Sequence, residues 1–136
     1  MKILLTTTSF QDTPGAHHTC LEASGFEVVR ARGPLSEAQM LALLAEHGPF
    51  DGLLNGDDHI SARVIDAAGE RLRVIAKYGI GLDSIDVAHA TARRIPVLYT
   101  PGVNHTTVAE HAFGLMIALA KDFWGHTRDV KAGQWA

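Results

Sequence analysis

The chain has 136 residues, about one domain's length, with 46% hydrophobic and 20% charged residues and a net charge of -3, which is enough chain to bury a sizeable core. Lys and Arg are scattered within an acidic balance, so there is no basic footprint for nucleic acid or an anionic membrane, and no run approaches the ~18 apolar residues of a membrane span. Cys20 stands alone, which excludes an intrachain disulfide and a cysteine-built zinc cage and leaves a buried helical thiol as its expected role.

Met1-Lys2-Ile3-Leu4-Leu5-Thr6 is too short an apolar run for a signal peptide and reads as a first, central strand, which makes a cytoplasmic protein the expectation. Pro14 and Gly15 interrupt, and a helix over 17–23 is closed by Gly25. Phe26 to Val29 forms a second strand. Ser36, with Gln39 three residues on, makes a capping box for a helix whose apolar face is Met40, Leu41, Leu43 and Leu44 and which Gly48-Pro49 ends. Asp51 to Leu54 is the third strand. Ser61 caps a short helix that turns Val64, Ile65 and Ala68 inward and stops at Gly69. Arg73 to Ala76 is the fourth strand, Asp86 caps the next helix, and Pro96 to Tyr99 is a short fifth strand.

Strands alternating with helices in this way imply right-handed βαβ units, hence an α/β fold with a parallel sheet flanked by helices. Five strands favour the flavodoxin-like order 2-1-3-4-5. A long helix over 107–123 follows, apolar nearly all round through Val108, Phe113, Leu115, Met116, Ile117 and Leu119, so it must be covered on most sides. Phe123, Trp124 and Trp135 add further apolar area and point to a missing partner. The expected division is a substrate-binding domain over 1–104, then the helix and tail over 105–136.

Ligands of open α/β sheets bind at loops leaving the carboxyl ends of strands. Two such loops carry chemistry, 79–83 and 100–107. In the first, Tyr78-Gly79-Ile80-Gly81 is either a tight turn or, through the N–H groups of Ile80 and Gly81, a seat for a carboxylate. It is no dinucleotide fingerprint, because the third glycine of GxGxxG is replaced by Ser84. Asn104 in the second loop is a helix cap or a hydrogen-bond donor to substrate. Asn55-Gly56-Asp57-Asp58 reads first as a turn and second as a polar wall. His111 beside Glu110 reads as structural, no histidine pair has HExxH spacing for a metal, and no GxSxG elbow exists. The loop after the first strand, Thr6 to Asp12, lacks the glycine of a flavin phosphate cradle.

The segments Val74 to Asp86, Arg94 to Val97, Thr100 to Asn104 and Val108 to His111 together resemble the D-isomer-specific 2-hydroxyacid dehydrogenases. Ile65 to Ala68 and Ala132 to Trp135 fit the same pattern. The resemblance implies a flavodoxin-like substrate-binding (catalytic) domain into which a Rossmann cofactor domain is inserted, with this chain as the N-terminal part of the first. It implies that the backbone of Ile80 and Gly81 holds the substrate carboxylate, with Tyr78 and Gly79 in the same loop. It also implies that Asn104 lies beside the substrate, that Asn55 and Gly56 form another wall, and that the 107–123 helix packs across a homodimer interface.

The family's catalytic arginine, glutamate and histidine, and its dinucleotide glycines, fall outside these residues. The resemblance therefore implies NAD or NADP in a longer parent and none bound to this part, which alone would be inactive. The substrate implied is a small 2-hydroxy or 2-oxo acid. Asn55-Gly56 stands where phosphoglycerate enzymes often carry Arg-Ser, which weakens a 3-phosphoglycerate assignment, although Lys77 could serve. The rival from another class is a stand-alone module that binds a small carboxylate or a partner.

Overall fold

Short apolar runs separated by capped helices fold as their spacing predicts. A computed structural model of the protein describes residues 1–135. It contains two compact units, Met1–Pro101 and a second beginning at Gly102. In the first, β1 (Lys2–Leu5), β2 (Glu27–Arg30), β3 (Gly52–Asn55), β4 (Val74–Lys77) and β5 (Val97–Leu98) form one five-stranded sheet ordered β2-β1-β3-β4-β5. All four pairings are parallel.

Register explains the core. Leu4 lies opposite Val29 on one side and Leu53 on the other, Leu53 faces Ile75, and Ile75 faces Val97. Side chains alternate across a strand, so this row points to a single face of the sheet. There it packs with Met40 and Leu44 of α3 (Glu37–His47), Val64, Ile65 and Ala68 of α4 (Ala62–Ala68), and Ala90 of α5 (Val87–Ala92). Each fully buried Leu or Ile contributes ~1.5–3 kcal/mol by leaving water. Burial thins toward the sheet edges, and Leu98 of β5 is exposed.

The helix starts follow their caps. Ser36 accepts from the N–H of Gln39 while the Gln39 side chain accepts from the N–H of Ser36, which closes the capping box. Ser61 and Asp86 cap α4 and α5 through the N–H groups of Val64 and His89. Ion pairs then tie the helix layer together. Glu37 accepts from Ser61 and Arg63 at 2.5 and 2.6 Å, and Asp66 accepts from His89 at 2.9 Å and from Arg93. Each of these carboxyls lies below its ordinary range, Glu37 first through the Ser61 hydroxyl and Asp66 first through His89.

Three expectations need correction. The stretch after β1 is not a loop throughout, because Thr8–Asp12 forms a short helix, α1, before α2 (Ala16–Ala23). Cys20 is exposed rather than buried, since α2 has no buried residue at all. In the second unit, α6 spans His105–Ala120 rather than 107–123. Asp122 takes a left-handed conformation with φ 45° and its carboxylate caps a separate helix, α7 (Phe123–Lys131), by accepting from the N–H of Gly125. A reversal of that kind ends one helix and starts another. Among the described residues no helix is long and apolar enough to cross a membrane.

One carboxylate ties the amino edge of the sheet. Asp51 accepts from Arg71 through both oxygens, at 2.9 and 3.0 Å, and from the N–H of Lys2 at 2.6 Å. The Arg71 guanidinium first, then the Lys2 N–H, hold the Asp51 carboxyl down at about 2. The unfolded value is about 3.9, so this contribution to stability is complete above about pH 5 and fades as pH falls toward the folded value. Thermal unfolding midpoints measured from pH 6 down to pH 2 should therefore fall less steeply in Asp51→Asn than in the parent chain. Parallel curves would show that the pairing adds nothing.

Candidate functional site

The carboxyl edge of the sheet is organised by a buried acid. Asp58, just past β3, is completely buried. Its Oδ2 accepts from the Thr6 hydroxyl at 2.6 Å and the Gly56 N–H at 3.0 Å, while its Oδ1 accepts from the Leu35 N–H at 2.8 Å. These donors come from the exits of β1, β3 and β2, so one carboxylate fixes three loops. Gly33 approaches it so closely that a Cβ there would strike the Asp58 carboxylate, and its N–H donates to the Thr6 carbonyl at 2.8 Å. A buried carboxylate survives only when hydrogen bonds replace water, and here three do.

β4 delivers the second half of the site. The Tyr78 N–H donates to the Asn55 carbonyl at 2.8 Å, which joins the exits of β3 and β4. The Tyr78 ring stands edge-on to Phe10 of α1, 5.7 Å between centroids. Lys77, at the end of β4, is buried and donates to the Gly56 carbonyl at 2.6 Å and to Asp57 at 2.5 Å. Gly79 has φ 145°, a region that only glycine adopts freely. Its carbonyl accepts from both the N–H and the hydroxyl of Thr100, at 2.9 and 3.0 Å. The far end of the loop is pinned where Ile60 and Ile85 pair: Ile60 N–H donates to Ser84 and Asp86 N–H to Ile60.

Between those anchors the N–H groups of Ile80 and Gly81 donate to no protein acceptor among the described residues, and the Ile80 side chain is exposed. On the side of Tyr78, a cavity of about 100 Å³ is bounded by Thr7, Thr8, Ser9, Gly56 and Asp57. Asn55 is buried. Its amide donates to the Gly56 carbonyl at 3.1 Å, and its Oδ1 has no partner among the described residues. A buried acceptor left open at such an edge is a place for a water or a ligand donor.

The expected residues thus separate. Asn55, Gly56, Tyr78, Gly79, Ile80 and Gly81 share the carboxyl edge of the first unit. Asn104 belongs to the second unit, where it is exposed and occupies the N-cap position of α6 without a side-chain capping bond. The sequence offers Asp58 only within a polar wall and Lys77 only as a cation for a phosphate; the structure adds that both are buried, Asp58 as a tie between loops. An Asp-Asp pair after Asn-Gly resembles any surface turn, and only packing shows which of the two turns inward. Among the described residues no cluster of three or more His, Cys, Asp or Glu could hold a metal.

Residues 7–132 match the model of the D-isomer specific 2-hydroxyacid dehydrogenase catalytic domain. The hydroxypyruvate reductase of Thermotoga maritima is 46% identical over 76 residues, which is 56% of this chain and 24% of that protein. The TT0316 protein from Thermus thermophilus superposes with a TM-score of 0.82 at 32% identity, over 100% of this chain and 42% of the other. The NAD+-bound 3-phosphoglycerate dehydrogenase of Entamoeba histolytica gives 0.66 at 30% identity, over 87% and 38%. The chain spans less than half the length of each of these proteins.

Removing the Asp58 carboxylate takes the acceptor from one buried and two part-buried donors on three loops. Asp58→Ala should therefore lower stability by roughly 2–5 kcal/mol in urea unfolding. A loss under ~1 kcal/mol would contradict its role as the tie.

Proposed function

From the premise that the chain belongs to the D-isomer specific 2-hydroxyacid dehydrogenase family, through its catalytic domain, we propose that it is the substrate-binding part of an NAD(P)-dependent D-2-hydroxyacid dehydrogenase. The observation that carries this reading is the pair of unspent N–H donors at Ile80 and Gly81, held between the Thr100 and Ile60 anchors. Two adjacent amides that need not rearrange are suited to a substrate carboxylate, because charge-assisted hydrogen bonds to a preorganised site are strong. The Asn55-Gly56 loop forms a wall, and Tyr78 closes the side nearest α1.

The chain's own residues do not fit a dinucleotide. A pyrophosphate cradle needs a glycine-rich turn running directly into a helix. After Gly79 and Gly81 the chain instead runs on to Asp86 before α5 begins at Val87, and the turn between β1 and α1 has no glycine. We therefore assign the cofactor, NAD or NADP, and the proton-transferring groups to residues outside this chain. Orientation of substrate is what this part contributes, and hydride transfer also needs the cofactor and an acid/base group in place. The same reading assigns the protein to the cytoplasm.

The second unit supports a homodimer. α6 has no buried residue, and Phe113, Met116 and Leu119 are 65%, 60% and 73% exposed. Apolar surface of that kind marks an interaction face, and we assign it to a second copy of the chain.

Two measurements test this. Mixed with NADH and glyoxylate or hydroxypyruvate, the chain alone should show no oxidation of NADH above background, whereas calorimetry should detect binding of a 2-hydroxy acid. Turnover by the isolated chain would contradict the division of labour. Light scattering should give a dimer mass for the parent and a lower mass for Met116→Asp, since burying an unpaired carboxylate at such a contact costs several kcal/mol, roughly. An unchanged mass would remove α6 from the interface.

A further inference from the structure

Lys77 is placed unlike an ordinary surface lysine. It ends β4 in register with Asn55 of β3, and only 3% of its side chain is exposed. The stem runs under the turn that carries the carboxylate donors, with Cε 3.2 Å from where a Cβ on Gly79 would sit. The ammonium emerges at the other wall, donating to the Gly56 carbonyl and to Asp57. An ammonium has three N–H donors, and these two acceptors leave one to spend. Asp57 differs sharply from its partner, because its side chain is 88% exposed.

That asymmetry matters for exchange. Buried, the lysine must keep an anion or several acceptors close by. Exposed, the Asp57 carboxylate loses little on returning to water. An incoming anion can therefore take its position at small cost. Space for one exists beside it, in the cavity of about 100 Å³ bounded by Thr7, Thr8, Ser9, Gly56, Asp57 and Tyr78. Of the hydroxyls there, that of Thr8 already donates to the Gly33 carbonyl, which leaves those of Thr7 and Ser9 to meet an anion's oxygens.

We propose that Lys77 is a specificity residue that receives the distal anionic group, carboxylate or phosphate, of a 2-hydroxy or 2-oxo acid, and that Asp57 occupies the ammonium until such a substrate displaces it. The proposal rests on the reading that Ile80 and Gly81 hold the first carboxylate. It makes the preferred substrate a dianionic acid, one end on backbone amides and the other on a buried cation.

Isothermal titration of the 136-residue chain with D-lactate, D-malate and D-3-phosphoglycerate tests it. D-lactate has no distal anion, D-malate has a carboxylate and D-3-phosphoglycerate a phosphate, so the two sources of the anion are separated. At least one of the two longer acids should bind about tenfold or more tightly than D-lactate, the scale of one added charge-assisted hydrogen bond. Lys77→Met should erase that preference. Asp57→Asn, an exposed change, should strengthen binding of the favoured longer acid by a larger factor than that of D-lactate.

Equal affinity for all three acids in the parent chain would overturn the proposal and leave the carboxylate site standing. So would a Lys77→Met loss of the same factor for every acid, the mark of a lysine that only latches two loops. Should Lys77→Met fail to fold, Asp57→Asn decides alone, and no larger gain for either longer acid than for D-lactate contradicts the proposal. Binding of none of the three overturns both this proposal and the carboxylate reading.

Discussion

Strands of a parallel sheet all end at one edge, and the chain leaves that edge with backbone donors that the ladder no longer satisfies. In this protein a single buried carboxylate meets the need. Asp58 accepts from the exits of β1, β2 and β3, and the close approach of Gly33 leaves the loop after β2 no room for a side chain. Buried polar groups without partners are costly, so the three loops are coupled, and none can shift without exposing the acid. β4 joins through Lys77 and the Tyr78–Asn55 backbone bond.

A frame held in this way has consequences for binding. The Gly79–Gly81 turn is anchored at Thr100 on one side and at Ile60 on the other, and the residues between keep free N–H groups. Ligand binding then requires little ordering of the loop, which is the condition for converting hydrogen bonds into affinity. The same edge carries both a neutral donor pair and a buried ammonium, and the proposed substrate reading rests on these two features. Membership of the family places small acids in view, and the proposal assigns these two groups to sorting them.

Much of the frame was legible because its signals are local. Ser36 with Gln39, Ser61 and Asp86 each make the capping bond that their sequence context predicts, and the apolar runs of β1, β3 and β4 declare central strands. The observed order β2-β1-β3-β4-β5 is the one that five strands alternating with helices favour. Less visible was α1, whose five residues begin on the last of three threonines, with no side-chain cap to announce it. The break at Asp122 was hidden by the apolar character that continues through Phe123 and Trp124. Only the left-handed backbone at Asp122 divides the helices. Cys20 misled because helix periodicity does not say how deeply a helix sits, and α2 lies exposed. The tie at Asp58 and the burial of Lys77 were unreadable for a related reason, although Lys77 stood out as a cation for a phosphate. Their chemistry depends on burial, and burial comes from loops distant in sequence.

The central claim is that the amides of Ile80 and Gly81 receive a carboxylate. Titration of the 15N-labelled chain with D-lactate tests it most directly. The account predicts that the Ile80 and Gly81 amide resonances move furthest and saturate together, as they gain a charged acceptor. Saturable shifts confined to other residues, with these two amides unmoved, would contradict it.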